Sequence, residues 1–150
     1  MKTIREILPE DQVLVTLPGT ATVLEAAETM TKEHVGAILV VREDGEPCGM
    51  FTERDLMTRV VVGRRDLEQV RIEEVMTSEL FSANPDEAVD KVARQMRHKH
   101  IRHLPVVEDG KILGMLSFRD LLSAHLSDAE EEVESLTSYI QGTPDIELED

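Results

Sequence analysis

The sequence predicts an α/β (α+β) fold made of two tandem strand–helix–strand–strand–helix units, βαββα, followed by an acidic C-terminal helix. Three observations predict it. A block recurs, GMFTERDL at 49–56 and GMLSFRDL at 114–121. Upstream of each block, apolar residues fall at helical spacing. Between helix and block lies a short, nearly continuous apolar run.

The recurrence reaches further back. VGAILVV at 35–41 faces IRHLPVV at 101–107, and TVLEAAETM at 22–30 faces AVDKVARQM at 88–96. Earlier still, IREIL at 4–8 resembles IEEVM at 72–76. The chain therefore divides into repeat 1 (1–62), repeat 2 (63–126) and an acidic helix and tail (127–150). A unit of about sixty residues buries too little surface to be secure alone, so the two are expected to pack as a pseudo-twofold pair.

In each repeat a helix is expected after PGT at 18–20 or NPD at 84–86. Asn84, Pro85 and Glu87 suit a capped helix start. Val23, Ala26, Ala27 and Met30 form one apolar stripe, as do Val89, Val92, Ala93 and Met96. The runs Ala37–Val41 and Leu104–Val107 read as buried strands. Turns follow at Glu43–Gly45 and Glu108–Gly110, with Pro47–Cys48 also read as turn. Short strands through Met50–Phe51 and Met115–Leu116 then lead into helices at Arg54–Val60 and Arg119–Leu126. A helix over 127–142 continues or follows, with Val133, Leu136 and Ile140 at helical spacing.

Composition limits the function classes. The 150 residues are 41% hydrophobic but 3% aromatic, so the core is aliphatic. The formal net charge of -15 argues against a nucleic-acid polymer or an anionic membrane as partner. The nine acids of 127–150 meet no Lys or Arg, and the tail carries most of that excess. No apolar run has the length of a membrane span. The start of the chain lacks the apolar core of a secretion signal, and Cys48 is the lone cysteine, so a cytoplasmic protein is expected. Residues 91–103 form a local basic stretch, which reads by default as solvated helix face. His98, His100 and His103 have no acid or thiol nearby to complete a metal set, and no metal is expected. There is no phosphate loop and no base for Ser117, so an enzyme is not expected.

The residues suited to chemistry are Gly-x-x-[Thr/Ser]-x-Arg-Asp in both repeats, at a strand-to-helix junction. Thr52 with Asp55, and Ser117 with Asp120, place a hydroxyl and a carboxylate together. A carboxylate can accept both hydroxyls of a ribose, and a helix start offers unpaired N–H donors. The same residues also suit plain helix caps. Their recurrence at one place in the unit favours a paired site.

These motifs, with Leu-Pro-Val-Val at 104–107 and the lead segments IREIL and IEEVM, resemble the cystathionine-β-synthase (CBS) domain family, found in pairs as Bateman modules. The resemblance covers about residues 1–126. It implies a regulatory module that binds adenine nucleotides such as AMP, ADP or ATP in clefts between the repeats. No cofactor is required, and the nucleotide is the regulatory ligand. It implies one cleft with Asp120 on the ribose, Ser117 and Arg119 toward phosphate, and Thr3, Ile7, Val35, Gly36 and Ala37 as walls. It implies a second with Asp55, Thr52 and Arg54, walled by Arg71, Val75, Ile101, Arg102 and His103. Gly36 and Ala37 stand where Arg102 and His103 stand, so unequal affinities are expected. A homodimer and an unidentified effector protein are the implied partners. The competing reading is a ligand-free structural or interaction module acting through dimerisation.

Overall fold

The computed structural model describes residues 2–10 and 14–140. In chain order these form α1 (Ile4–Ile7), β1 (Thr16–Pro18), α2 (Val23–Glu33), β2 (Ala37–Val41), β3 (Pro47–Thr52) and α3 (Glu53–Asp55). A π-helical turn at Leu56–Val61 extends α3, and a 3-10 turn follows at Ile72–Glu74. Then come α4 (Val89–Lys99), β4 (His103–Glu108), β5 (Lys111–Ser117) and α5 (Phe118–Ile140). None of the described helices is long and apolar enough to cross a membrane.

Two compact units result. One is contiguous, Asp11–Phe81; the other is composite, Met1–Glu10 with Ser82–Asp150. In the contiguous unit β1 lies parallel to β2, and β2 antiparallel to β3, with an irregularity between Val40 and Val41. Ala37, Ile38, Leu39 and Val40 are all buried, which is why that strand reads as an unbroken apolar run. Helix α2 begins in a capping box. The Glu25 N–H donates to Thr22 Oγ1 at 3.1 Å, and the Thr22 N–H donates to Glu25 Oε2 at 3.2 Å. The α2 stripe of Val23, Ala26 and Met30 packs with Ile38, Val40, Phe51, Val60 and Ile72 into one core.

The composite unit repeats the plan. β4 and β5 form an antiparallel hairpin, closed by Asp109 and Gly110 at positive φ. Helix α4 buries Val89, Val92 and Met96. It ends at His100 in the left-handed conformation, as α2 ends at His34.

The lead segments explain why one unit is composite. The Ile4 N–H donates to the Glu87 carbonyl, and the Val89 N–H to the Lys2 carbonyl, both at 3.0 Å. The equivalent residues make the equivalent bonds in the other unit: Ile72 N–H to Ala21 O and Val23 N–H to Val70 O, both at 2.9 Å. Each lead thus pairs with the helix start of the other repeat. Ile4 and Ile72 are each fully buried there. Arg5 adds an ion pair to Asp86 at 3.3 Å and another to Glu108. Hydrogen bonding to Glu108, then to Asp86, raises the Arg5 pKa and keeps the guanidinium charged.

Local expectations need five corrections. Asn84 and Pro85 do not cap α4, which begins at Val89 with Ala88 as its N-cap, because Asn84–Glu87 closes its own turn: the Asp86 N–H donates to Asn84 Oδ1 at 2.9 Å. The helix expected at Arg54–Val60 is one α-turn followed by a π-turn. The expected Arg119–Leu126 helix starts at Phe118 and runs unbroken into the acidic segment as far as Ile140, with 141–142 lying outside the described residues. The first strand of repeat 2 shrinks to a single parallel bridge, Ala83 to Val106. Cys48 lies in β3 rather than in a turn, its thiol 3.5 Å from the Val40 carbonyl.

Candidate functional site

Both Gly-x-x-[Thr/Ser]-x-Arg-Asp motifs sit where the last strand of a repeat enters a helix. In the contiguous unit β3 ends at Thr52, the N-cap of α3. In the composite unit β5 ends at Ser117, one residue before α5. A backbone bond ties each junction to the preceding strand entrance. The Glu53 N–H donates to the Gly36 carbonyl at 3.0 Å, and the Phe118 N–H to the Arg102 carbonyl at 2.7 Å.

Each motif closes a reciprocal capping box. The Asp55 N–H donates to Thr52 Oγ1 at 3.2 Å, and the Thr52 N–H donates to Asp55 Oδ2 at 3.0 Å. The Asp120 N–H donates to Ser117 Oγ at 3.1 Å, and the Ser117 N–H donates to Asp120 Oδ2 at 3.0 Å. Capping and ligand binding are compatible, because each box occupies only one carboxylate oxygen with its backbone donor.

Beyond the boxes the two junctions diverge. Asp55 is 6% exposed, the one buried charged residue among the described residues. The Thr52 hydroxyl also donates to Oδ2, at 3.2 Å. The Thr77 hydroxyl reaches Oδ1 at 3.2 Å and Oδ2 at 3.4 Å, and Arg59 Nε lies 3.6 Å from Oδ1. Asp120 is exposed, and its Oδ1 has no hydrogen-bond partner among the described residues.

The charge beside the two junctions differs as well. Gly36 leaves room that Glu53 fills: a Cβ at position 36 would meet Glu53 Oε1 at 2.1 Å. At the equivalent places the composite unit has Arg102 and Phe118, with exposed Arg119 beside them and His103 opening β4. Arg54 and Arg119 match between the junctions, so the difference is the Glu53 carboxylate at one and the Arg102 guanidinium at the other.

The expected site residues fall out by unit as follows. Thr3, Ile7, Ile101, Arg102, His103, Ser117, Arg119 and Asp120 lie in the composite unit. Val35, Gly36, Ala37, Thr52, Arg54, Asp55, Arg71 and Val75 lie in the contiguous unit. Val75 belongs to its hydrophobic core, and Arg71 bridges by backbone to Thr22. No group of three His, Cys, Asp or Glu residues fit to hold a metal ion occurs among the described residues. Sequence reasoning missed Thr77, Arg59 and Glu53. The signal for all three was a mismatch between the repeats rather than a match.

The CBS domain family model matches residues 4–62 and 72–127. The Arabidopsis thaliana protein named CBS domain-containing protein CBSX3, mitochondrial, is 34% identical over 125 residues, which are 81% of this chain and 61% of the relative. The chain thus spans about three fifths of that relative. A CBS domain protein of Pyrobaculum aerophilum, solved in complex with AMP, is 32% identical with a TM-score of 0.71, over 79% of this chain and 89% of that one. The CBS domain pair of protein MJ0100, solved with 5′-methylthioadenosine and S-adenosyl-L-methionine, is 26% identical with a TM-score of 0.74, over 85% and 98% of the two chains.

Proposed function

Since this chain belongs to the CBS-domain family, we propose that it is a regulatory sensor that binds an adenosyl ligand, foremost an adenine nucleotide such as AMP or ATP, at the Asp120 junction. One observation carries the reading. Asp120 is fixed by its box to Ser117, yet keeps an exposed oxygen with no protein partner among the described residues. A vicinal diol supplies the two donors that such a carboxylate lacks. Arg102 and Arg119 supply positive charge for a phosphate, and Ser117 supplies a hydroxyl. Thr3 and Ile7, on the half-buried lead of the same unit, are the candidates for contact with the base. The two solved relatives, named with AMP and with methylthioadenosine and S-adenosylmethionine, share the adenosyl group.

Such a module acts by favouring one conformation over another, so its effect is limited by the difference in affinity between the two. It has the make-up of a regulator rather than a catalyst: the Ser117 N–H donates and the Ser117 hydroxyl accepts within the cap. A homodimer is part of the proposal. Met57 and Val61 on the π-turn, Val62 just after it, and Leu122 and Leu126 on α5 are large apolar side chains left exposed.

Calorimetry with AMP, ATP and S-adenosylmethionine tests the reading. At least one is expected to bind, and Asp120→Ala is expected to weaken it by roughly ten- to hundredfold, the worth of one or two charge-assisted hydrogen bonds. Absence of heat and of thermal stabilisation with all three ligands overturns it.

A further inference from the structure

Asp55 and Asp120 hold the same position in the same motif, yet their surroundings differ in a way that reads as a switch between occupied and open. A carboxylate offers about four acceptor sites. For Asp55 the Thr52 amide, the Thr52 hydroxyl and the Thr77 hydroxyl take three of them, and Arg59 Nε stands 3.6 Å from Oδ1 as an ion pair. A ribose diol would have to displace the last two. For Asp120, among the described residues, only the Ser117 amide is in place.

The cause lies at two positions where the repeats disagree. Residues 71–77 and 3–9 are equivalent, as their matching bonds to Ala21 and Glu87 show. Thr77 is held at the end of its lead by a two-way backbone bridge with Met50, both bonds 2.9 Å. Its equivalent is Pro9, which has neither a hydroxyl nor an N–H. One helical turn after Asp55 stands Arg59; one helical turn after Asp120 stands Ala124. Both partners of Asp55 are thus missing from the composite unit by sequence. The charge difference points the same way. Glu53 would meet any phosphate brought to the Asp55 junction, whereas Arg102 stands at the equivalent place beside Asp120.

We infer that Thr77 and Arg59 act as an internal plug that occupies the diol-binding carboxylate of the first repeat, leaving one adenosyl site per chain, at Asp120. The inference rests on the functional reading above and adds its stoichiometry and the residues that set it. Thr77 and Arg59 are specificity-determining: they decide which motif accepts a ligand. Once the plug is removed, Glu53 remains, so the opened junction prefers an adenosyl ligand without phosphate.

The test is calorimetry on the full chain with two probes, AMP and 5′-methylthioadenosine. The wild type is expected to bind one equivalent per chain, and Asp120→Asn to weaken that binding by about tenfold or more. Asp55→Asn is expected to leave affinity and stoichiometry unchanged while lowering the melting temperature, as befits a structural group. The double variant Thr77→Val, Arg59→Ala is expected to gain a second equivalent of methylthioadenosine. That second event should be at least tenfold weaker with AMP. Two equivalents on the wild type, or loss of binding in Asp55→Asn, overturns the plug and leaves the functional reading standing. A folded double variant that still binds one equivalent also overturns the plug. If the double variant does not fold, the Asp55→Asn titration alone decides. No binding of either probe by the wild type overturns the plug, and the functional reading falls with it only if ATP and S-adenosylmethionine fail to bind as well.

Discussion

The Glu53 amide donates to the Gly36 carbonyl at 3.0 Å, and the Glu53 carboxylate lies where a side chain at position 36 would begin. The equivalent pair, Phe118 and Arg102, keeps the backbone bond at 2.7 Å and reverses the charge. A repeated backbone frame therefore differs in charge at one place, Glu53 against Arg102, while Arg54 and Arg119 match. Ligand charge is the property this difference should select.

Arg102→Ala should lower affinity for AMP or ATP by about tenfold, the scale of one charge-assisted contact. It should change affinity for 5′-methylthioadenosine by less than about threefold, since that ligand offers no phosphate. Competition calorimetry at one fixed salt concentration measures both. An equal loss for the two ligands would mean that Arg102 shapes the junction instead of meeting phosphate.

Thr77→Val should destabilise the folded chain by about 1–3 kcal/mol, because it leaves a buried carboxylate short of a donor. Arg59→Ala should cost less than about 1 kcal/mol, as its side chain is 51% exposed and the pair is screened. Denaturant unfolding of the two single variants ranks them. Arg59 as the costlier residue would show that its ion pair and its bonds to the Val75 and Met76 carbonyls outweigh the Thr77 hydroxyl.

The exchange of lead segments gives a prediction that separates the units. Ile4 is fully buried in the composite unit and Ile72 in the contiguous one. Truncating either to Ala should cost about 2–5 kcal/mol. Amide exchange should show where: Ile4→Ala should loosen β4 and β5 first, and Ile72→Ala should loosen β2 and β3 first. A lead that protected its own repeat instead would reverse that pattern.

Much of this was legible in the sequence because repetition supplies its own alignment. The GMFTERDL and GMLSFRDL blocks located both junctions, and the apolar runs located β2 and β4. Periodicity could not show that Ile4 packs beside Glu87 and Ile72 beside Ala21, because two equivalent leads fit either body equally well by pattern. Nor could a capping motif show its own occupancy. The state of Asp55 depends on Thr77, 22 residues downstream and outside the motif. Composition around Asn84 suggested a helix start, but the side chain closed a tighter local turn first. The π-turn at Leu56–Val61 has no periodic signature, since one extra residue per turn is a tertiary adjustment.

Leu122 and Leu126 lie four residues apart on α5, and both are exposed. Val133 and Leu136 are exposed further along the same helix. Apolar side chains at such spacing share one helix face, and leaving them in water costs free energy that a partner helix would recover. A second copy is the proposed cover, so light scattering at micromolar concentration should give about twice the 16.9 kDa chain mass. The double variant Leu122→Glu, Leu126→Glu should return the mass to that of one chain without altering the Ser117–Asp120 box, which lies before this stretch. Its affinity for the adenosyl ligand should then stay within about threefold of wild type, because the change falls on α5 beyond the junction and burial, not charge pairing, is what the variant removes. A wild-type chain that scatters as a monomer, or a variant that remains dimeric, would assign those leucines to some other contact.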